Sequence, residues 1–167
     1  LFRSIIRDIT KSKRADYALR HSEERLRQAT RVSAIGVWDM DFVARTVYWS
    51  REQRFIWGWN EFEDVAWDSH IDCLFPEDRP LIDAAVEDAN LSADGAFDVE
   101  HRIVRRGDGA VRWLIVRGRV FYDGHGRDKR PLRSVGATLD VTDEKLAAAE
   151  RAGFHARLLQ AQRLESV

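Results

Sequence analysis

The chain has 167 residues, 44% hydrophobic and 33% charged, which suits one core of moderate size with solvated extensions. Lys plus Arg number 27 and Asp plus Glu 28, a net charge of −1, which excludes the general basic excess of a nucleic-acid binder. A single cysteine excludes an internal disulfide, and no apolar run reaches the ~18 residues that read as a bilayer span.

The chain starts with Leu1 rather than Met. We therefore expect an internal piece of a longer, cytoplasmic protein, without membrane contact of its own and without a signal peptide. From about Thr10 to Arg31 it is rich in Lys, Arg, Glu and Ala, with no Gly or Pro. Ala15, Leu19, Ser22, Leu26, Ala29 and Ser33 recur at alternating spacings of four and three, the heptad seam of a coiled coil. Ala and Ser are poor knobs, so two readings stay open: a helix pairing with its own copy, or an amphipathic helix lying on its own domain.

From Gly36 the period changes to two. Trp38, Met40 and Phe42 alternate with Asp39 and Asp41 as in a half-buried strand, and Val47 and Trp49 continue it after a turn. Ser50-Arg51-Glu52-Gln53 reads as a capping box opening a helix. Pro76-Glu77-Asp78 opens a second helix, with proline tolerated at its start and acids suited to its positive end. Its expected buried stripe is Leu81 or Ile82, Ala85 and Ala89, and Asp94-Gly95 ends it.

Three strands follow. Phe97, Val99, His101 and Ile103 face one way, and Gly107-Asp108-Gly109 turns the chain. Val111 to Tyr122 is apolar on both faces at its centre, so both faces are expected to be covered. Asp123-Gly124-His125-Gly126 is the next turn and Leu132 to Val141 the last strand. Thr142 to Val167 is helical again, with a seam of Phe154, Leu158 and Ala161 and with Leu164 nearby. Segregated helices and strands predict an α+β fold with an antiparallel sheet. Asp8-Ile9-Thr10 and Asp140-Val141-Thr142 form a repeat, each following an apolar stretch and preceding a charged helix.

Several of these segments resemble the PAS family. Gly36-Val37-Trp38-Asp39-Met40-Asp41 and Trp49-Ser50 are similar to its first two strands, and Phe75-Pro76-Glu77-Asp78-Arg79 to its His-Pro-Glu-Asp-Arg helix start, with Phe75 replacing the His. Phe97 to Arg106, Gly107-Asp108-Gly109 and Val111-Arg112-Trp113 resemble the third and fourth strands, and Asp140-Val141-Thr142 the closing Asp-Ile-Thr motif. The resemblance covers about Glu23 to Lys145. It implies a five-stranded antiparallel sheet with helices on one side, flanked by coiled-coil helices. It divides the chain into the tail of a preceding PAS domain (1–10), a linker helix (11–33), a PAS domain (34–143) and an output helix (144–167). Gln160-Ala161-Gln162-Arg163-Leu164-Glu165-Ser166-Val167 resembles the approach to the phosphoacceptor helix of sensor histidine kinases. That implies a homodimer working with downstream kinase domains and a response regulator. The alternatives are a ligand-free dimerisation scaffold and the input domain of a diguanylate cyclase.

No Gly-rich phosphate loop or activated nucleophile occurs, so no catalytic residue is expected, and Asp39 and Asp41 read as surface charge. The expected signal-transfer motif is Asp140, Val141 and Thr142 with Arg112: Asp140 accepting charge-assisted hydrogen bonds, Thr142 capping the next helix. Light-sensing relatives carry Asn-Cys-Arg-Phe-Leu-Gln around a flavin-bonding cysteine. Cys73 sits instead between Asp72 and Leu74-Phe75-Pro76, as an inert buried thiol would. His21, His70, His101, His125 and His155 share no metal-ligand spacing, and Pro76 to Asp94 holds no haem-ligating histidine. Neither cofactor nor metal is therefore expected. An unidentified small ligand would meet Phe55, Trp57, Trp59, Leu81, Ile82 and His101; the same aromatic residues are equally suited to filling the cavity.

Overall fold

A charged stretch without Gly or Pro satisfies its backbone most readily by local hydrogen bonds. In the computed structural model, which describes residues 2–124 and 128–165, α1 accordingly runs unbroken over Phe2–Val32. Asp8-Ile9-Thr10 lies inside this helix, not ahead of it. The chain divides into two units, one through Ile35 and one from Gly36 onward. In the first, Leu19 and Leu26 of the expected seam are exposed, as is Tyr17 outside it.

The second unit carries β1 (Gly36–Asp41), β2 (Thr46–Trp49), α2 (Arg51–Trp57), 3-10 turns at Ile71–Cys73 and Pro76–Asp78, and α3 (Arg79–Leu91). It continues through β3 (Ala96–Val104), β4 (Val111–Asp123), β5 (Arg130–Asp140) and α4 (Thr142–Glu165). The strands form one antiparallel sheet in the order β2-β1-β5-β4-β3, placing the first strand beside the last. The α+β, five-stranded expectation holds. His125 and Gly126, expected in a turn, lie outside the described residues, as do Ser166 and Val167 and the side chain of Leu164.

Strand alternation sends Trp38, Trp49, Val99, Ile103, Leu114 and Val116 to one face, where they form the core with Ile56 and Trp57 of α2 and with Ile82 and Ala85 of α3. Both helices therefore cover the same face. The register brings Phe97, Gly118, Gly136, Trp38 and Trp49 into one row across the sheet. A Cβ on Gly136 would stand 2.3 Å from the Trp38 ring, and one on Gly118 would stand 2.6 Å from the Phe97 ring. These two glycines leave room for the rings to lie down on the sheet, and Trp38 and Phe97 stack with centroids 6.1 Å apart.

The opposite face of β4 is only half covered. Ile115 and Trp113 are half-buried, whereas Leu114 is fully buried on the helix-covered side. The expectation of two covered faces fails there because α2 and α3 both pack on the other side.

Candidate functional site

Ser50 caps α2 by accepting from the Gln53 N–H at 3.2 Å. The second half of the expected capping box is not made, because the Ser50 N–H is taken by the Val37 carbonyl. Gln53 turns inward instead, and its Oε1 lies against Gly36 without a hydrogen-bond partner. Gln53, Ile56 and Trp57, at spacings of three and four, form the buried stripe of α2. That leaves Phe55 on the outside, 71% exposed, with the Arg105 guanidinium over its ring and bonded to its carbonyl.

The six expected pocket residues thus separate. Trp57, Trp59 and His101 are buried and Ile82 packs on the core, but Phe55 and Leu81 face solvent. On α3, Ile82, Ala85 and Ala89 carry the buried stripe, and Leu81 precedes it by one position and points away. Trp49 meets Trp57 at 5.4 Å and Trp59 at 5.2 Å between ring centroids, so this aromatic cluster packs as core.

His101 is 4% exposed, and neither ring nitrogen has a hydrogen-bond partner. Burial pushes its pKa below the ordinary histidine value, and the Asp78 carboxylate opposes this only in part. Cys73 borders an open cleft of about 550 Å³ that Trp59, Asp72, Arg105 and Arg106 also line. Burial, with Asp72 beside it, holds its thiol in the protonated, unreactive form. Among the described residues no cluster of His, Cys, Asp and Glu is arranged to hold a metal ion.

The expected signal-transfer residues come together at the exit of β5. Asp140 Oδ1 accepts from the Thr142 N–H at 2.9 Å and from the Thr142 hydroxyl. The Thr142 oxygen accepts in turn from the Trp113 N–H at 2.9 Å, and the Val141 N–H donates to the Trp113 carbonyl at 2.9 Å. Both main-chain groups of Trp113 are therefore held by the residues that join β5 to α4. The Lys145 N–H closes the first helical turn on the Val141 carbonyl.

Two details differ from expectation. Thr142 does not cap α4: its hydroxyl is committed to Trp113 and Asp140, and it is the Asp140 carboxylate that satisfies a free N–H at the helix start. Arg112 stands 3.6 Å from Asp140 Oδ2, an ion pair beyond hydrogen-bond length, because Oδ1 is turned to Thr142.

The sequence reading did not single out what surrounds Trp113. Arg102 is its register partner on β3, with the guanidinium 5.3 Å from the indole centroid. Lys145 of α4 brings its ammonium to 5.2 Å from the same ring and pairs with Glu100. Arg102 also grips Asp78 through Nε at 3.0 Å and Nη2 at 2.6 Å, and lies 4.1 Å from the centroid of the Phe75 ring. The available signal was Arg102 and Trp113 flanking a hairpin, but the pairing depends on turn length, and Asp78 is 24 residues from Arg102.

Residues 46–135 match the PAS_3 family, described as the PAS fold. The non-motile and phage-resistance protein of Caulobacter vibrioides is 31% identical over 160 residues, covering 93% of this chain and 18% of that protein. The blue-light-activated histidine kinase of Brucella anthropi is 33% identical over 132 residues, covering 78% of this chain and 25% of the relative. The chain therefore spans a quarter or less of the length of these two relatives. Among solved structures, a sensory box histidine kinase/response regulator from Burkholderia thailandensis superposes with a TM-score of 0.65 at 28% identity, covering 81% of this chain and 98% of that one.

Proposed function

The chain belongs to the PAS fold family, and from that premise we propose that it is the sensory and regulatory module of a cytoplasmic sensor histidine kinase. In this reading the PAS unit biases α4, and α4 carries that bias to autophosphorylation in domains beyond this chain. The observation that carries it is the clasp on Trp113: one residue, Val141, separates the last strand from α4, and four hydrogen bonds tie that junction to β4 and to Asp140. A junction without a loop transmits movement of the strand end to the helix rather than absorbing it. Such a switch needs a coupling of about 1–3 kcal/mol, and a hydrogen bond to a charged group contributes about that much.

The module works as a homodimer through its helical linkers, and the parent protein acts through a response regulator. The uncovered Tyr17, Leu19 and Leu26 of α1 and Leu146, Phe154 and Leu158 of α4 support pairing with a second copy. The domain binds neither flavin nor haem. Support comes from the rings of Trp38 and Phe97 laid over Gly136 and Gly118, and from a Cys73 without the flanking residues of the light-sensing motif.

The test is Asp140→Ala in the parent protein, with autophosphorylation measured and circular dichroism as the folding control. A several-fold shift in basal activity with a flattened signal response is expected. Unchanged activity in a folded variant would reduce the motif to a helix cap. A parent that converts GTP to cyclic diguanylate, with no phosphohistidine formed, would replace the kinase reading with the cyclase one.

A further inference from the structure

We infer that Trp113 carries a second, side-chain route into α4, running from the start of α3 through Asp78, Arg102, the indole ring and Lys145. The inference rests on the reading of α4 as the output helix and adds the element that drives it. The clasp at Asp140 and Thr142 holds Trp113 by its main chain. The groups here act on its ring, so the two routes share a residue but not an interaction.

The geometry is continuous. Asp78 ends the 3-10 turn that opens α3, and its carboxylate accepts from the Arg102 N–H at 2.7 Å and from the guanidinium at 2.6 and 3.0 Å. This fork fixes the plane and position of the guanidinium. The same guanidinium lies 5.3 Å from the Trp113 ring centroid, and the Lys145 ammonium lies 5.2 Å from it, each within the range of a cation–π contact. Glu100, two residues before Arg102 on the same strand, pairs with Lys145. The first turn of α4 is therefore tied to β3 twice, once through Glu100 and once through the ring that Arg102 shares.

The start of α3 is the side on which a signal could arrive. Phe75 lies under Arg102 with its N–H on the Arg102 carbonyl at 3.1 Å, Leu74 bridges to Ile103, and Asp72 and Cys73 just ahead line the open cleft. A displacement of this segment must either carry the Asp78 carboxylate with it or break the fork. In both cases the cation on the Trp113 ring is disturbed, and the hold on Lys145 changes.

Coupling of this kind is reciprocal, and that decides the experiment. Amide hydrogen exchange by mass spectrometry is measured on this 167-residue chain, with Asp78→Asn and Lys145→Met made separately. Asp78→Asn should speed exchange in 142–149 of α4 by about two- to fivefold, the factor expected from loss of one exposed cation–π contact. Lys145→Met, at an exposed position that leaves the core intact, should loosen 75–80 by a similar factor. Exchange that changes only around the substituted residue in each variant overturns the inference. Should Asp78→Asn prove unfolded by circular dichroism, Lys145→Met alone decides it. The functional reading fails separately: reciprocal exchange effects beside a parent kinase indifferent to Asp140→Ala would keep this route and remove the role assigned to α4.

Discussion

Arg102 meets Asp78 with three donors at once, its own N–H at 2.7 Å and two guanidinium nitrogens at 3.0 and 2.6 Å, across 24 residues of sequence. The side chains are 28% and 12% exposed, so this pair is more sheltered than the surface ion pairs of the outer face. It fastens the start of α3 to an edge strand, where no neighbouring strand would hold it.

The first prediction follows from that fork. Asp78→Ala should lower stability by about 2 kcal/mol, the usual size of a lost hydrogen bond to a charged group. Hydrogen bonds from Arg102 hold the Asp78 pKa below its ordinary value. The carboxylate's contribution is therefore complete above about pH 3.9, the unfolded value, and disappears as pH falls through the lower folded value. Urea denaturation at pH 7, 4 and 3 should show the Ala variant losing less stability across the acid range than wild type. Parallel acid losses in the two proteins would mean that Asp78 does not carry this dependence.

His101 gives the second prediction, in a different pH window. Its folded pKa is lowered by burial, so between the unfolded value of about 6.5 and the lower folded value only the unfolded chain takes up the proton. Stability should accordingly fall as pH drops below about 6.5, with His70, also lowered by burial, contributing to the same loss. Because neither nitrogen of His101 has a partner, His101→Leu should be neutral to stabilising at pH 7 and should flatten this limb. A Leu variant markedly less stable at pH 7 would mean that the ring nitrogens are satisfied in solution.

Two glycines supply a contrast in sign. At Gly136 an added methyl meets the Trp38 ring at 2.3 Å and the Arg117 carbonyl at 2.5 Å, and that carbonyl belongs to β4, held between β5 and β3, and cannot withdraw. Gly136→Ala should cost about 1–3 kcal/mol by overpacking. At Gly153, inside α4, the methyl meets nothing within 4 Å. Gly153→Ala should raise helix stability by up to about 1 kcal/mol. Thermal melts followed at 222 nm would record both shifts, and shifts of the same direction would contradict the packing described for one of the two sites.

How much of this was legible in the sequence depended on the range of the interactions involved. Alternation revealed Trp38, Met40, Val99 and Ile103 as one face, because a strand's period is local and fixed. The end of the sheet at Asp140-Val141-Thr142 was legible through the resemblance to the family's closing Asp-Ile-Thr motif, not through alternation. Leu81 and Phe55 were misplaced because one residue of rotation on a short helix decides which side chain is buried, and only the packed partner fixes that rotation. Thr142 was assigned the wrong donor because a hydroxyl oxygen at a helix start has two N–H groups within reach, one in the next turn and one on a neighbouring strand. The register of β4, which no local pattern announces, selected Trp113. The cluster of Asp78, Arg102 and Lys145 around that ring required α3, β3, β4 and α4 to be placed together.

The last prediction isolates the hydroxyl at that junction. Thr142 is buried, donates to Asp140, and accepts from the Trp113 N–H. Replacing it with valine keeps the branched shape and removes both bonds, leaving the Trp113 N–H, bounded by β5 and α4, without its acceptor. The expected cost is about 1–3 kcal/mol, the price of an unpaired buried donor. It should appear as a lower urea midpoint with an unchanged slope, since the surface exposed on unfolding stays the same. Thr142→Ser retains the oxygen and loses only a methyl group, so it should recover most of the stability. Amide exchange at Trp113 separates the two contributions further: it should accelerate in the Val variant and stay slow in the Ser variant, while exchange of the Lys145 amide, bonded to the Val141 carbonyl, changes less in both. A Ser variant as unstable as the Val one would assign the junction to packing of the methyl group rather than to the hydrogen bonds, and would remove the clasp as a means of passing strain from β5 into α4.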